Sequence, residues 1–206
     1  MRTGRMLLLA AGVALALAAP AGAEDPPATR TIRRLDETLL GVLKQADRLG
    51  FQGRAERLMP VVTESYDVPF MAEKSLGQHW KALGEADRRR WIDLSLRFSV
   101  ANYAANFDHD SGQTIELLGE EAAANDTAVV RTRISDPKGE SVEMSYRLRA
   151  ADGGWKIIDV YLKGTVSELA LRRADYTAVV ERDGFEGLVK TMEGKIADLA
   201  AGKAKR

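Results

Sequence analysis

The chain has 206 residues, 30 Lys+Arg against 30 Asp+Glu, no cysteine and 45% apolar residues. A formal charge of zero lacks the clustered basic excess that nucleic-acid binding needs, and the apolar fraction excludes wholesale disorder. Without cysteine there is no disulfide scaffold, thiolate zinc site or cysteine nucleophile, and the length suits a single domain.

In chain order, Arg2 and Arg5 precede an apolar run over 6–19, and Ala21-Gly22-Ala23 closes it with a small-x-small site. This is the pattern of a secretory signal peptide cleaved after Ala23, the run being shorter than the roughly 20 residues that span a bilayer. No cysteine follows the site, so a lipoprotein anchor is excluded. The predicted organisation is a cleaved signal over 1–23 and one domain over 24–206. That domain has a flexible leader at 24–30, around Pro26-Pro27, and a solvated basic tail at 202–206. No second long apolar run occurs, which predicts a soluble mature chain.

Ile32, Leu35, Leu39, Leu43 and Ala46 recur at helical spacing, with Gly50 as the stop. A second helix is predicted over 51–62, bent or ended by Pro60. A third covers 68–76, with Pro69 in its first turn. A long amphipathic helix covers 85–106, striped by Trp91, Leu94, Phe98 and Ala101. The period then changes to two, predicting strands over 113–120, 127–135, 141–150 and 155–163 separated by turn-rich segments. Helical spacing returns with Leu169, Tyr176 and Val180, and again with Phe185, Leu188, Met192, Ile196 and Leu199; Gly184 separates the two. Helices, strands, then helices indicate α+β: an antiparallel sheet of four strands, possibly five, covered on one face by helices.

Alternation fixes the register. Pairing Ile134, Thr132 and Val130 with Val142, Met144 and Tyr146 keeps Arg131 and Arg133 off the apolar face. Pairing Leu148, Tyr146 and Met144 with Ile158, Val160 and Leu162 sets Arg147 against Asp159 and Glu143 against Lys163. One face is then apolar over three strands, and the other is polar and wet.

Catalytic and metal signatures are weak. His79 stands beside Trp80, and Asp108-His109-Asp110 lies in a loop whose adjacent side chains converge poorly on one ion. There is no G-x-S-x-G elbow and no phosphate-binding glycine loop; Gly184-Phe185-Glu186-Gly187 reads as a helix boundary. Asp159 could be a general base in a cone-shaped fold, as in ketosteroid isomerase, but its register favours a cross-strand ion pair with Arg147.

Three segments together resemble one family. Tyr66-Asp67-Val68-Pro69-Phe70-Met71-Ala72 with Leu76-Gly77-Gln78-His79-Trp80 resembles the F-D-x-x-x-M-A…L-G-x-x-W stretch of MlaC, the toluene-tolerance or periplasmic phospholipid-binding family. Trp91-Ile92-Asp93-Leu94 to Tyr103 resembles its long helix. Trp155-Lys156-Ile157-Ile158-Asp159-Val160 with Gly164, Val166-Ser167 and Gly184-Phe185-Glu186-Gly187-Leu188 resembles its W-K-x-x-D-V…G-x-x-x-L end. There are departures. Gly164-Thr165-Val166-Ser167 has one residue more than the usual G-V-S, and Gly84 stands where many members carry Ser or Thr. Residues 161–170 with Arg172-Arg173 are more similar to HpnM, the hopanoid-associated branch.

The resemblance implies an MlaC-like, NTF2-like fold with a deep apolar pocket, no catalysis, no cofactor beyond a bound lipid, and no metal. It implies a periplasmic carrier of phospholipid or hopanoid. The implied partners are an MCE-type ABC transporter or an RND-type exporter at the inner membrane and a lipoprotein complex at the outer one. The pocket is expected between sheet and helices, lined by Phe70, Met71, Trp91, Phe98, Tyr103, Val130, Met144, Tyr146, Ile158, Val160 and Leu162, with Val166 and Leu169 at its rim. The competing readings are a non-enzymatic envelope adaptor with a packed core, and an NTF2-like enzyme with an ionisable group inside its pocket.

Overall fold

The structure is a computed structural model and describes residues 25–163 and 165–203. The expected signal peptide and its cleavage site, and the end of the basic tail, lie outside the described residues. Helix α1 (Pro27–Leu43) begins where a flexible leader was expected. Proline at its first position has φ already set for a helix, and Ala28 and Thr29 are fully buried. The Thr29 N–H and hydroxyl both donate to Glu120 Oε2 at 2.8 Å, so the leader is a docked first turn.

Helix α2 (Ala46–Ser65) contains an elbow at Gly50 (φ 59°, ψ −177°) and runs on through Pro60. Pro60 is exposed, so the carbonyl that loses its N–H partner can turn to water; the expected break does not occur. Helix α3 (Val68–Leu76) starts at Asp67, whose carboxylate accepts from the Phe70 N–H at 3.2 Å. A 3₁₀ turn (Gly77–Ala82) leads to α4 (Glu85–Asn106). The last helix, α5 (Glu168–Ala200), carries a second elbow at Gly184 (φ 72°, ψ −179°). Among the described residues no helix is long and apolar enough to cross a membrane.

Five antiparallel strands, β1 (Thr114–Ala123), β2 (Thr127–Ser135), β3 (Ser141–Ala151), β4 (Gly154–Leu162) and β5 (Val166–Ser167), lie in sequence order. The β2–β3 register is the expected one: Ile134, Thr132 and Val130 face Val142, Met144 and Tyr146. In β3–β4, Met144 faces Leu162, Tyr146 faces Val160 and Arg147 faces Asp159, but Leu148 faces Ile157. Ile158 is the extra residue of a β-bulge. The bulge lets Ile157 and Val160, three apart, both enter the same core.

Two further expectations fail around Asp159. It is buried, and it makes no ion pair with Arg147. Its Oδ1 accepts from the Leu169 N–H at 3.1 Å and the Val160 N–H at 2.8 Å, and its Oδ2 accepts from the Ser167 hydroxyl at 2.6 Å. Two donors at a helix start and one on its own strand satisfy a carboxylate better than a single guanidinium. Arg147 donates instead to Thr127 Oγ1 and the Ala124 carbonyl. The supposedly wet face is thus covered at β4 by the start of α5.

Two apolar clusters result. The sheet core joins α1, α2 and the C-terminal half of α4 to β2–β4, around Ile32, Leu35, Leu58, Val130, Tyr146, Leu148 and Ile157. The helical core joins α3, the N-terminal half of α4 and α5, around Leu76, Trp91, Leu94, Leu188 and Met192.

Candidate functional site

The candidate site lies on the seam between these cores. Tyr66 and Val68 bring α2 and α3 to it, Met71, Ala72 and Ser75 come from α3, Ser95, Phe98 and Ser99 from α4, and Arg172 and Tyr176 from α5. They enclose a slot of about 20 Å³, room for about one water against the roughly 300–1,000 Å³ of a typical ligand pocket. The slot shares Phe98, Arg172 and Tyr176 with an outer groove of about 230 Å³. That groove is walled by the C-terminal half of α4 and both arms of α5. In a straight helix Glu168 and Asp198 would stand about 45 Å apart; the Gly184 elbow brings both to one groove. A wider surface cleft of about 680 Å³, between the start of α1 and the β3–β4 turn, shares no residue with either.

The expected lining residues divide accordingly. Met71 and Phe98 line the slot. Trp91 is buried in the helical core instead. Its Nε1 donates to the Ala72 carbonyl at 3.2 Å and Ser75 Oγ at 3.3 Å, and its ring meets Tyr176 edge-on at 5.2 Å. Phe70 is half-buried beneath two cations, Arg149 at 4.3 Å and Lys74 at 5.3 Å. Val130, Tyr146 and Val160 are closed within the sheet core, with Met144 half-buried against it. Ile158 is the bulge residue, Leu162 and Leu169 are half-buried, and Val166 is exposed. None of these lines the slot or the groove.

Behind the slot the interior is more polar than the strand alternation suggested. Tyr66 and Tyr103 join through their hydroxyls at 2.5 Å, and the Tyr146 hydroxyl donates to Met144 Sδ at 3.6 Å. Burial pushes all three phenols well above their ordinary range. Burial also raises the Asp36 carboxyl to about 7, against a smaller opposing pull from Arg33. Asp36 Oδ1 and Thr132 Oγ1 are buried without hydrogen-bond partners. His79 Nε2 lies 4.0 Å from Glu181, and the exposed His109 pairs with Asp108 at 2.8 Å. Among the described residues no three or more His, Cys, Asp or Glu side chains gather as a metal site.

The residues that sequence reasoning missed are Tyr66, Val68, Ala72, Ser75, Ser95, Ser99 and Arg172, together with Tyr176, which it placed only in a helical stripe. Small polar residues on α3 and α4 (Ser75, Ser95 and Ser99), set among the aromatic side chains of Tyr66, Phe98 and Tyr176, are the one local signal of a gap.

Residues 33–194 match the family model described as "MlaC protein". Among solved structures, a phospholipid-binding protein from Ralstonia solanacearum, determined in complex with a phospholipid, superposes with a TM-score of 0.73 at 22% identity. The match covers 85% of this chain and 99% of that one. No curated protein matches the sequence.

Proposed function

We propose that this chain, which belongs to the MlaC family, is a non-enzymatic periplasmic carrier. It is exported by a signal cleaved after Ala23 and shuttles a membrane lipid between inner and outer membranes. The observation that carries the reading is the slot on the seam, which is divided from an outer groove by a wall of only Phe98, Arg172 and Tyr176. An acyl chain entering there parts two cores without unzipping a strand ladder. A dry cavity of lipid size would cost on the order of 24 cal/mol per Å³, several kcal/mol in all, so side chains close the seam and lipid must reopen it. The Ralstonia protein of the same fold binds a phospholipid, which supports phospholipid as the cargo. The likeness of residues 161–173 to the hopanoid-associated branch supports hopanoid as the second reading. The partners proposed are an MCE-type ABC transporter, or for hopanoid an RND-type exporter, at the inner membrane, and a lipoprotein complex at the outer one.

The test is mass spectrometry of an organic extract of the exported, purified protein. Near-stoichiometric lipid, on a chain beginning at Glu24, is expected. A chain that carries no lipid, and takes none up from vesicles, would be an envelope adaptor and would overturn the reading.

A further inference from the structure

The outer groove carries more charge than a passage for acyl chains requires. Arg172 and Lys195 face it, as do Glu168, Asp175 and Asp198. Their spacing invites pairing along the helix: Glu168 with Arg172 at i,i+4, Arg172 with Asp175 and Lys195 with Asp198 at i,i+3. Among the described residues none of these pairs forms. Elsewhere the same spacing does pair, as in Glu85 with Arg89 and Asp93 with Arg97 (3.0 Å). Glu168 Oε1 is moreover buried without a hydrogen-bond partner. Arg172 is held over the Phe98 ring at 5.4 Å rather than against a carboxylate. The groove thus keeps two cations and three carboxylates available to something else.

We infer that this groove is a headgroup site for a zwitterionic phospholipid, one that bears both a phosphate and an ammonium group; the inference rests on the carrier reading. The order of the groups carries it. A phospholipid runs from tails to phosphate to ammonium. The site runs from the slot, through Arg172 on the wall that slot and groove share, to Asp175 and Asp198, which line the groove alone. A guanidinium at the neck suits the phosphate, with two parallel N–H donors. The exposed carboxylates of Asp175 and Asp198 suit the ammonium. The carboxylates outnumber the cations by one, so an anionic headgroup without an ammonium meets net repulsion. An uncharged polyol or a bare triterpene leaves all five charges unused.

The experiment offers the full exported chain vesicles of equal phosphatidylethanolamine and phosphatidylglycerol, re-isolates it, and reads the bound ratio by mass spectrometry. A bound ratio of about tenfold in favour of the ethanolamine lipid is expected. The Asp175→Lys, Asp198→Lys double variant should reverse that preference. The single Asp198→Lys, at an exposed position, should move it part of the way. Circular dichroism confirms folding, and if the double variant does not fold the single one decides. Equal uptake of both lipids, or a ratio unmoved by Asp198→Lys, overturns the headgroup site while the carrier reading stands. No uptake of any lipid overturns both.

Discussion

The sheet core and the helical core bury comparable side chains, but they are held in different ways. The sheet core is laced by strand ladders. Helix α1, which covers it, is tied to those ladders by hydrogen bonds from Thr29 and Thr31 to β1 and β4, and the junction of α2 with α3 is tied by the bond from the Asp67 N–H to the Ile157 carbonyl (2.9 Å) and the Arg149–Asp67 ion pair (2.6 Å). The helical core has no ladder. It relies on Trp91, wedged between Tyr176 and Phe185, and on packing along α3, α4 and α5. A seam between a laced region and a packed one yields on the packed side, because side-chain contacts can re-form one helix at a time while a ladder gives way as a unit. For the proposed carrier this makes the helical core the side that would yield to a lipid.

The largest effect should come from Trp91→Ala. It removes the central aromatic and two hydrogen bonds and should cost about 3–5 kcal/mol. In native-state amide exchange the loss should appear in α3 and α5, while β2–β4 keep their protection. An equal loss in both cores would break the comparison.

Asp36 provides a similarly large test from the sheet side. Its folded value, about 7, lies above its ordinary 3.8. Its contribution to stability is therefore complete below about pH 4 and disappears as the pH rises through 7, on the order of 4 kcal/mol in total. Urea midpoints at pH 4, 6 and 8 should fall accordingly. Asp36→Asn should flatten that slope and leave the variant the more stable protein at pH 8. A slope that survives the substitution would place the titrating group elsewhere.

The Gly184 elbow sharpens the contrast with less energy. Its backbone lies in a region open almost only to glycine, and a Cβ there would meet nothing within 4 Å. Gly184→Ala should therefore cost about 1–3 kcal/mol from the backbone alone. The loss should fall on the helical core, seen as faster exchange in α5. Smallest is Arg90→Ala, which breaks an exposed bridge to Glu186 across α4 and α5. Less than about 1 kcal/mol is expected in a denaturation midpoint, and more would mean that surface charge, not Trp91, holds the helices.

Sequence logic read the elements well wherever the cause is local. Helices α3 and α4 have the expected bounds because Asp67, Pro69 and Gly84 are punctuation within a few residues. The β2–β3 register follows from strict alternation. The β4 bulge was hinted at by Ile157 and Val160, apolar residues of opposite parity, but the complementary charges of Arg147 and Asp159 suggested an unbroken ladder. That pairing of positions is real, yet the carboxylate serves the α5 start, a partner ten residues away that periodicity does not encode. The same holds at the site. The slot needs four helices to converge, and nothing in Arg172-Arg173 says which of the two arginines turns inward.

Asp159 has one more consequence. It pins the first turn of α5 to β4 through Ser167 and Leu169, while Gly184 lets the helix double back. The helix is thus fastened at two places of different kind: its first turn to a strand of the sheet, and the arm beyond the elbow, through Phe185, Leu188 and Met192, to the helical core. Leu169 is held by a carboxylate on β4, whereas Tyr176 and Phe185 are held by ring packing on Trp91.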